Sequence, residues 1–188
     1  MSEEFKIAVT YGGILGRFCR KLGLTWNHIL IVQWSNGVPR WTYESNIRGV
    51  HRHPFQESPD LAREHRWYVA ENPLNLAEKA YFRGFCDGAC GKWYALHYWL
   101  LLGRRIIKRL LARPHELALI PGETCITFVN GPCAGIGRPV STEGASGLPD
   151  DIMESPHWKP EDGLVSKDAG YKFADCILAT RSALKAAT

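Results

Sequence analysis

The chain has no apolar run long enough to cross a bilayer and nothing that reads as a leader. It begins Met1-Ser2-Glu3-Glu4-Phe5, an acidic start, and the apolar stretch behind it is too short for a signal peptide. These absences make a cytoplasmic protein the expectation. A charge excess that would name a partner is also missing. With 23 Lys and Arg against 19 Asp and Glu, the net charge is only +4, too mild to argue for nucleic-acid binding. The six cysteines (Cys19, Cys86, Cys90, Cys125, Cys133 and Cys176) follow no disulfide-framework spacing, which suits reduced thiols. Repeats, heptads and linkers are absent too, so the 188 residues read as one domain with its own core.

Metal ligation finds little support in the spacing. Cys86 and Cys90 are the one close cysteine pair, and no second pair of matching type completes four ligands. His51-Arg52-His53 could supply the remainder, but residues 46–59 are polar and contain proline, so a surface loop is the simpler reading. No metal and no cofactor are therefore expected.

What the sequence does contain is a set of strand and helix signals around two informative segments. Residues 5–11 read as a first strand, and Gly12-Gly13 breaks it before a short basic amphipathic helix over 14–22. Residues 29–34 form an apolar, β-branched strand, Ser35-Asn36-Gly37 signals a hairpin, and 39–45 return. A strand over 65–69 and a helix opening at Asn72-Pro73 and running to about Phe85 follow. Residues 91–102 are apolar and aromatic, too short to span a bilayer, and read as a buried helix or the wall of an apolar substrate groove. The basic run from Arg104 to Arg113 suits the solvated face of a helix, or a rim making weak contact with an anionic membrane surface. A helix from Cys125 is expected to end at Gly131-Pro132. Residues 135–147, rich in Gly and Ser, read as a mobile loop. A short helix with proline at its start covers 148–155, and the tail over 171–187 reads as a helix.

Two of these segments, about a hundred residues apart, carry the chemistry. His28 stands at the start of the apolar strand, and Cys125 stands where a helix begins, after Pro121-Gly122. A cysteine at a helix N-terminus has its thiolate favoured by the unpaired N–H groups, and an imidazole can hold it as an ion pair. Glu44, near the end of the return strand, is within reach of His28 and could fix its tautomer. The Cys125 backbone N–H is the natural first oxyanion donor. Cys133 is a rival nucleophile, but it follows a helix-breaking pair.

The order of these parts resembles the permuted papain-like hydrolases of the YiiX/YaeF type, within the NlpC-like superfamily of cysteine enzymes. A histidine-bearing strand, a hairpin with a glutamate, a Gly-Lys-aromatic-Tyr element, a helix-leading cysteine and a Pro-Asp-Asp-Ile segment follow one another over residues 5–155. The resemblance implies an α+β, circularly permuted papain-like fold: an antiparallel sheet packed against helices, with the nucleophile at a helix N-terminus. One such domain would fill 1–188, with a core of about 5–155 and an extension over 156–188. His28, Glu44 and Cys125 would take the catalytic positions. Gly91-Lys92-Trp93-Tyr94 would match the family's Gly-Lys-Pro-Tyr element, and Trp26, Trp93 and Tyr94 would touch substrate. Ile29 directly after the histidine, Ile126-Thr127 after the cysteine, and Trp93 in place of proline depart from the family pattern.

The expected activity is cleavage of an amide or ester, in a lipid or acyl amide or a cell-wall peptide, through an acyl-enzyme on Cys125. The alternative is a papain-like scaffold that binds rather than cuts, as a component of a larger assembly. A nucleic-acid binder using the Arg104 to Arg113 run has no recognised motif behind it. Small size, the missing leader and the Trp-rich composition would suit a phage-encoded protein in its host's cytoplasm.

Overall fold

The structure is a computed structural model that describes residues 2–11, 25–46, 48–61, 64–93, 124–142 and 147–165. The expected helices over 14–22 and 171–187, the segment 91–102 beyond residue 93, and the basic run from Arg104 to Arg113, and with them Tyr94, Cys19 and Cys176, lie outside the described residues. The described part is α+β, a six-stranded sheet with a few helices. Its strands are β1 (Glu3–Tyr11), β2 (His28–Ser35), β3 (Val38–Asn46), β4 (Gly49–Pro54), β5 (Glu64–Ala70) and β6 (Trp158–Val165). They lie in the order β4-β3-β2-β1-β5-β6, and every neighbouring pair is antiparallel.

The centre of this sheet follows from its residues. Ile29, Leu30, Ile31 and Val32 are all fully buried, because β2 is covered on both faces and so reads as an unbroken apolar run. On one face Ile7, Val9, Ile29, Ile31 and Tyr43 join the main core. On the other, Ala8, Leu30 and Val32 meet Phe55, Leu61 and Trp67 in a smaller cluster. The β2–β3 hairpin closes through Asn36 and Gly37, both at positive φ (52° and 75°), the turn that matches the strands' twist.

Two helices cover the main-core face, α1 (Leu76–Ala89) and α2 (Cys125–Gly135). The start of α1 is set by its cap at Asn75, three residues after the first of its signals. Asn75 caps it, accepting from the Glu78 amide at 2.9 Å while Glu78 accepts from the Asn75 amide at 2.8 Å. Thr124 and Thr127 make the same reciprocal cap for α2, with bonds of 3.1 and 2.7 Å. Gly131 and Pro132 do not end α2, which continues to Gly135 with Pro132 and Cys133 buried. Gly131 instead permits close approach of the two helices, since a Cβ there would fall 2.4 Å from the Phe85 ring.

Three further expectations change. Residues 46–59 are not a loop throughout. They contain β4, whose edge is covered by the chain after α1, with Val50 N–H donating to Lys92 O at 2.9 Å and Gly91 N–H to Val50 O at 2.8 Å. The stretch after α2 is tied down where it is described, because the Asn130 side chain accepts from the Val140 and Ser141 amides and donates to Ser141 O. And the sheet runs past residue 155, since β6 pairs with β5. No helix among the described residues is long and apolar enough to cross a membrane.

A candidate thiol–imidazole site

Each component of the site is placed by the end of an element. His28 is the first residue of β2, opposite Thr10 of β1. The segment leading to it is held by Asp150, at the start of the 3-10 helix Pro149–Glu154. One carboxylate oxygen of Asp150 accepts from the Thr25 amide at 2.8 Å and the other from the Trp26 amide at 2.7 Å. Cys125 is the first residue of α2, directly after its Thr124 cap, and is 5% exposed. Its backbone N–H is therefore one of the amides that no carbonyl of the helix can accept from. Glu44 lies on β3 and is 1% exposed.

These three residues meet at the imidazole. His28 Nε2 lies 3.6 Å from Glu44 Oε2 and 3.7 Å from Asp60 Oδ2. Both contacts are ion-pair distances rather than hydrogen bonds, and the Cys125 side chain is a further polar neighbour of the ring. Burial disfavours the charged imidazolium. Interaction with Cys125, Glu44 and Asp60 outweighs it and raises the His28 pKa to about 10. Burial likewise pushes the Glu44 carboxyl up, but its contacts with His28 and His53 prevail and hold it well below the usual carboxylate range. The result is a buried carboxylate beside an imidazolium that neighbours a thiol at a helix start.

Asp60 was not anticipated, and neither were His51 and His53 in this role. Glu44 and His51 face each other across the β3–β4 ladder, with Glu44 Oε1 3.0 Å from His51 Nε2 and 3.4 Å from His53 Nε2. The period-two spacing of His51 and His53 was the one signal for β4, since alternate strand residues share a face. Asp60 offered none, because its part depends only on where the chain folds back.

Trp26 is buried and belongs to the same main core as Cys125. Trp93 is 88% exposed, beside the β4 edge. Cys133, the rival nucleophile, is fully buried in α2 and burial pushes its thiol pKa well up, as it does for Cys86. A cleft of about 330 Å³ lies elsewhere, lined by Phe5, Lys6, Val69, Leu74, Lys79 and Lys159, at the end of β1 remote from His28.

No family model matches this chain, and no curated protein does. A solved structure does: the crystal structure of metalloprotein yiiX from Escherichia coli O157:H7, described as DUF1105, superposes with a TM-score of 0.52. The match covers 87% of this chain and 97% of that one at 11% identity, a likeness of fold.

Proposed function

We propose that the protein is a cysteine hydrolase of the permuted papain-like type. Cys125 Sγ, as a thiolate held by the His28 imidazolium, attacks the acyl carbon of an amide or ester, and the imidazolium gives its proton to the leaving group as the acyl-enzyme forms. Water, deprotonated by the now neutral imidazole, attacks the acyl carbon, releases the acid and restores the thiolate–imidazolium pair. Glu44 orients the ring and stabilises its positive form, as the third member of such triads does. The Cys125 amide is the first donor to the developing oxyanion. The observation that supports this reading is the placement of Cys125 at the capped start of α2 beside an imidazole whose Nε2 faces a buried carboxylate. Lipid-like acyl amides and cell-wall peptides are the substrate classes to try first, because the fold does not name the substrate.

The burial of Cys125 favours a second reading, a scaffold of the same fold that binds without cutting. Iodoacetamide labelling of each cysteine, read by mass spectrometry, separates the two. The hydrolase reading requires Cys125 to label fastest at neutral pH and to lose that advantage in His28→Ala, and an acyl adduct on Cys125 must follow with activated esters. Labelling no faster than at Cys19 or Cys176 would leave the scaffold.

A further inference from the structure

We propose that Glu44, His51 and His53 form a binding site for one divalent transition-metal ion of the zinc class, on strands β3 and β4 beside the thiol–imidazole pair. The three residues offer ligand atoms that all lie within 4.8 Å of one another. Glu44 stands opposite His51 in the ladder, and His53 stands two residues further along β4, so the three side chains share one face. The two imidazole rings are 5.3 Å apart at a tilt of 30°.

The tautomers carry the argument. His51 Nδ1–H donates to the Gly49 carbonyl and His53 Nδ1–H to the Pro54 carbonyl, each at 3.2 Å, and a carbonyl can only accept. In the neutral rings both Nε2 lone pairs therefore point at Glu44, an anionic acceptor. The Asn46 Nδ2 amide, also 3.5 Å from His51 Nε2, supplies protons to part of this group, but the buried His53 Nε2 has no hydrogen-bond partner among the described residues, and a cation or a ring proton would satisfy it. The Nδ1-to-carbonyl bonds are also the outer contacts that orient metal-ligating histidines. Asn46 supports the carboxylate in the same way, its Nδ2 donating to Glu44 Oε1 at 2.9 Å.

The donor set selects the ion. Two imidazoles and a carboxylate suit zinc and its neighbours rather than calcium or magnesium, which take oxygen. The His51 side chain is 34% exposed and the Glu44 side chain 2%, so an ion held here would have protein beneath it and water in front. The neighbouring group of His28, Glu44 and Asp60 is the competing candidate. It is less suited, because its single imidazole nitrogen lies between two carboxylates and has no second imidazole. The site shares Glu44 with the proposed triad but uses neither Cys125 nor His28, and its geometry stands without the hydrolase reading.

The test is calorimetric titration of the metal-free full chain with zinc chloride, with cobalt(II) as a spectroscopic probe. The expected result is one ion per chain, cobalt bands of a nitrogen–oxygen site without a thiolate charge-transfer band, and affinity lost by at least about tenfold in His51→Ala and His53→Ala. Cys125→Ser and Asp60→Asn should bind as the wild type does. Should His53→Ala fail to fold, His51→Gln at the more exposed position decides. No binding, a thiolate band, or weakening by Asp60→Asn or Cys125→Ser with His51→Ala unaffected would overturn the site.

Discussion

Glu44 and His28 belong to adjacent strands of one sheet, and their side chains approach to 3.6 Å between Oε2 and Nε2 in a place where the carboxylate is almost wholly removed from water. The same carboxylate turns its other oxygen to His51 and His53. Glu44→Gln keeps the shape and removes the charge, so the imidazolium loses the more buried of its two carboxylate partners. The expected outcome is a fall of about a hundredfold in the rate at which Cys125 reacts with iodoacetamide at pH 7. An unchanged rate would show that Glu44 is structural only.

Asp60 lies at nearly the same distance from His28 Nε2, at 3.7 Å, yet it sits on the chain leaving the 3-10 helix Phe55–Glu57 rather than on the sheet. Asp60→Asn should slow Cys125 labelling less than Glu44→Gln does, because Glu44 is the more buried of the two carboxylates and its attraction is less screened. Paired labelling rates for the two variants check the order. An equal or larger loss in Asp60→Asn would make Asp60 the orienting acid.

Strands β1 to β3 and their hairpin were legible because Ile29 to Val32 is an apolar run and Asn36-Gly37 can adopt positive φ with little cost. Strand β4 was not, since its alternating residues are histidines whose stability comes from Glu44, a partner on another strand. Strand β6 contains Lys159, Pro160, Glu161, Asp162 and Gly163, a composition of turns, and exists through its pairing with β5. Cys125 and His28 were visible as individual signals, one at a helix start and one at a strand start. Asp60 was not, because only the path of the chain brings it to His28. The end of α2 was misread because Gly131 and Pro132 usually break a helix, whereas here the glycine is needed against Phe85.

Alkaline stability should report the buried thiols. Burial raises the pKa of Cys86 and Cys133 above the ordinary thiol value in the folded chain. Stability from keeping them neutral is fully present below the unfolded pKa and is lost as pH rises from there through the folded value. Each group contributes about 1.4 kcal/mol per pH unit within that window. Urea denaturation at pH 8 and pH 10 should show a smaller loss in the Cys86→Ala, Cys133→Ala double variant than in the wild type. Parallel slopes would mean that neither thiol stays neutral.

Gly49 has φ of +98°, and a Cβ there would fall 2.5 Å from the Lys92 carbonyl oxygen, which accepts from Val50 N–H. Gly49→Ala therefore combines an unfavourable backbone with a clash against main chain that cannot rotate away. A loss of about 2 kcal/mol or more is expected in urea denaturation. A cost under about 0.5 kcal/mol would show that the segment after α1 is not held against the β4 edge.

Among the described residues Thr25 pairs with no strand, and the segment before His28 is held by the Asn27 N–H bond to Thr10 O and by Asp150, which takes the Thr25 and Trp26 amides on its two oxygens. Asp150→Ala leaves those donors without their acceptor, one of them on a residue that is 4% exposed, where water cannot readily replace it. The expected destabilisation is about 1–3 kcal/mol, with faster amide exchange at Trp26 than at Ile31 in the middle of β2. Because Trp26 lies two residues from His28, the variant should also slow Cys125 labelling while leaving the far end of the sheet protected. A uniform rise in exchange across β2 would instead assign Asp150 to global stability, with no particular part in placing the imidazole.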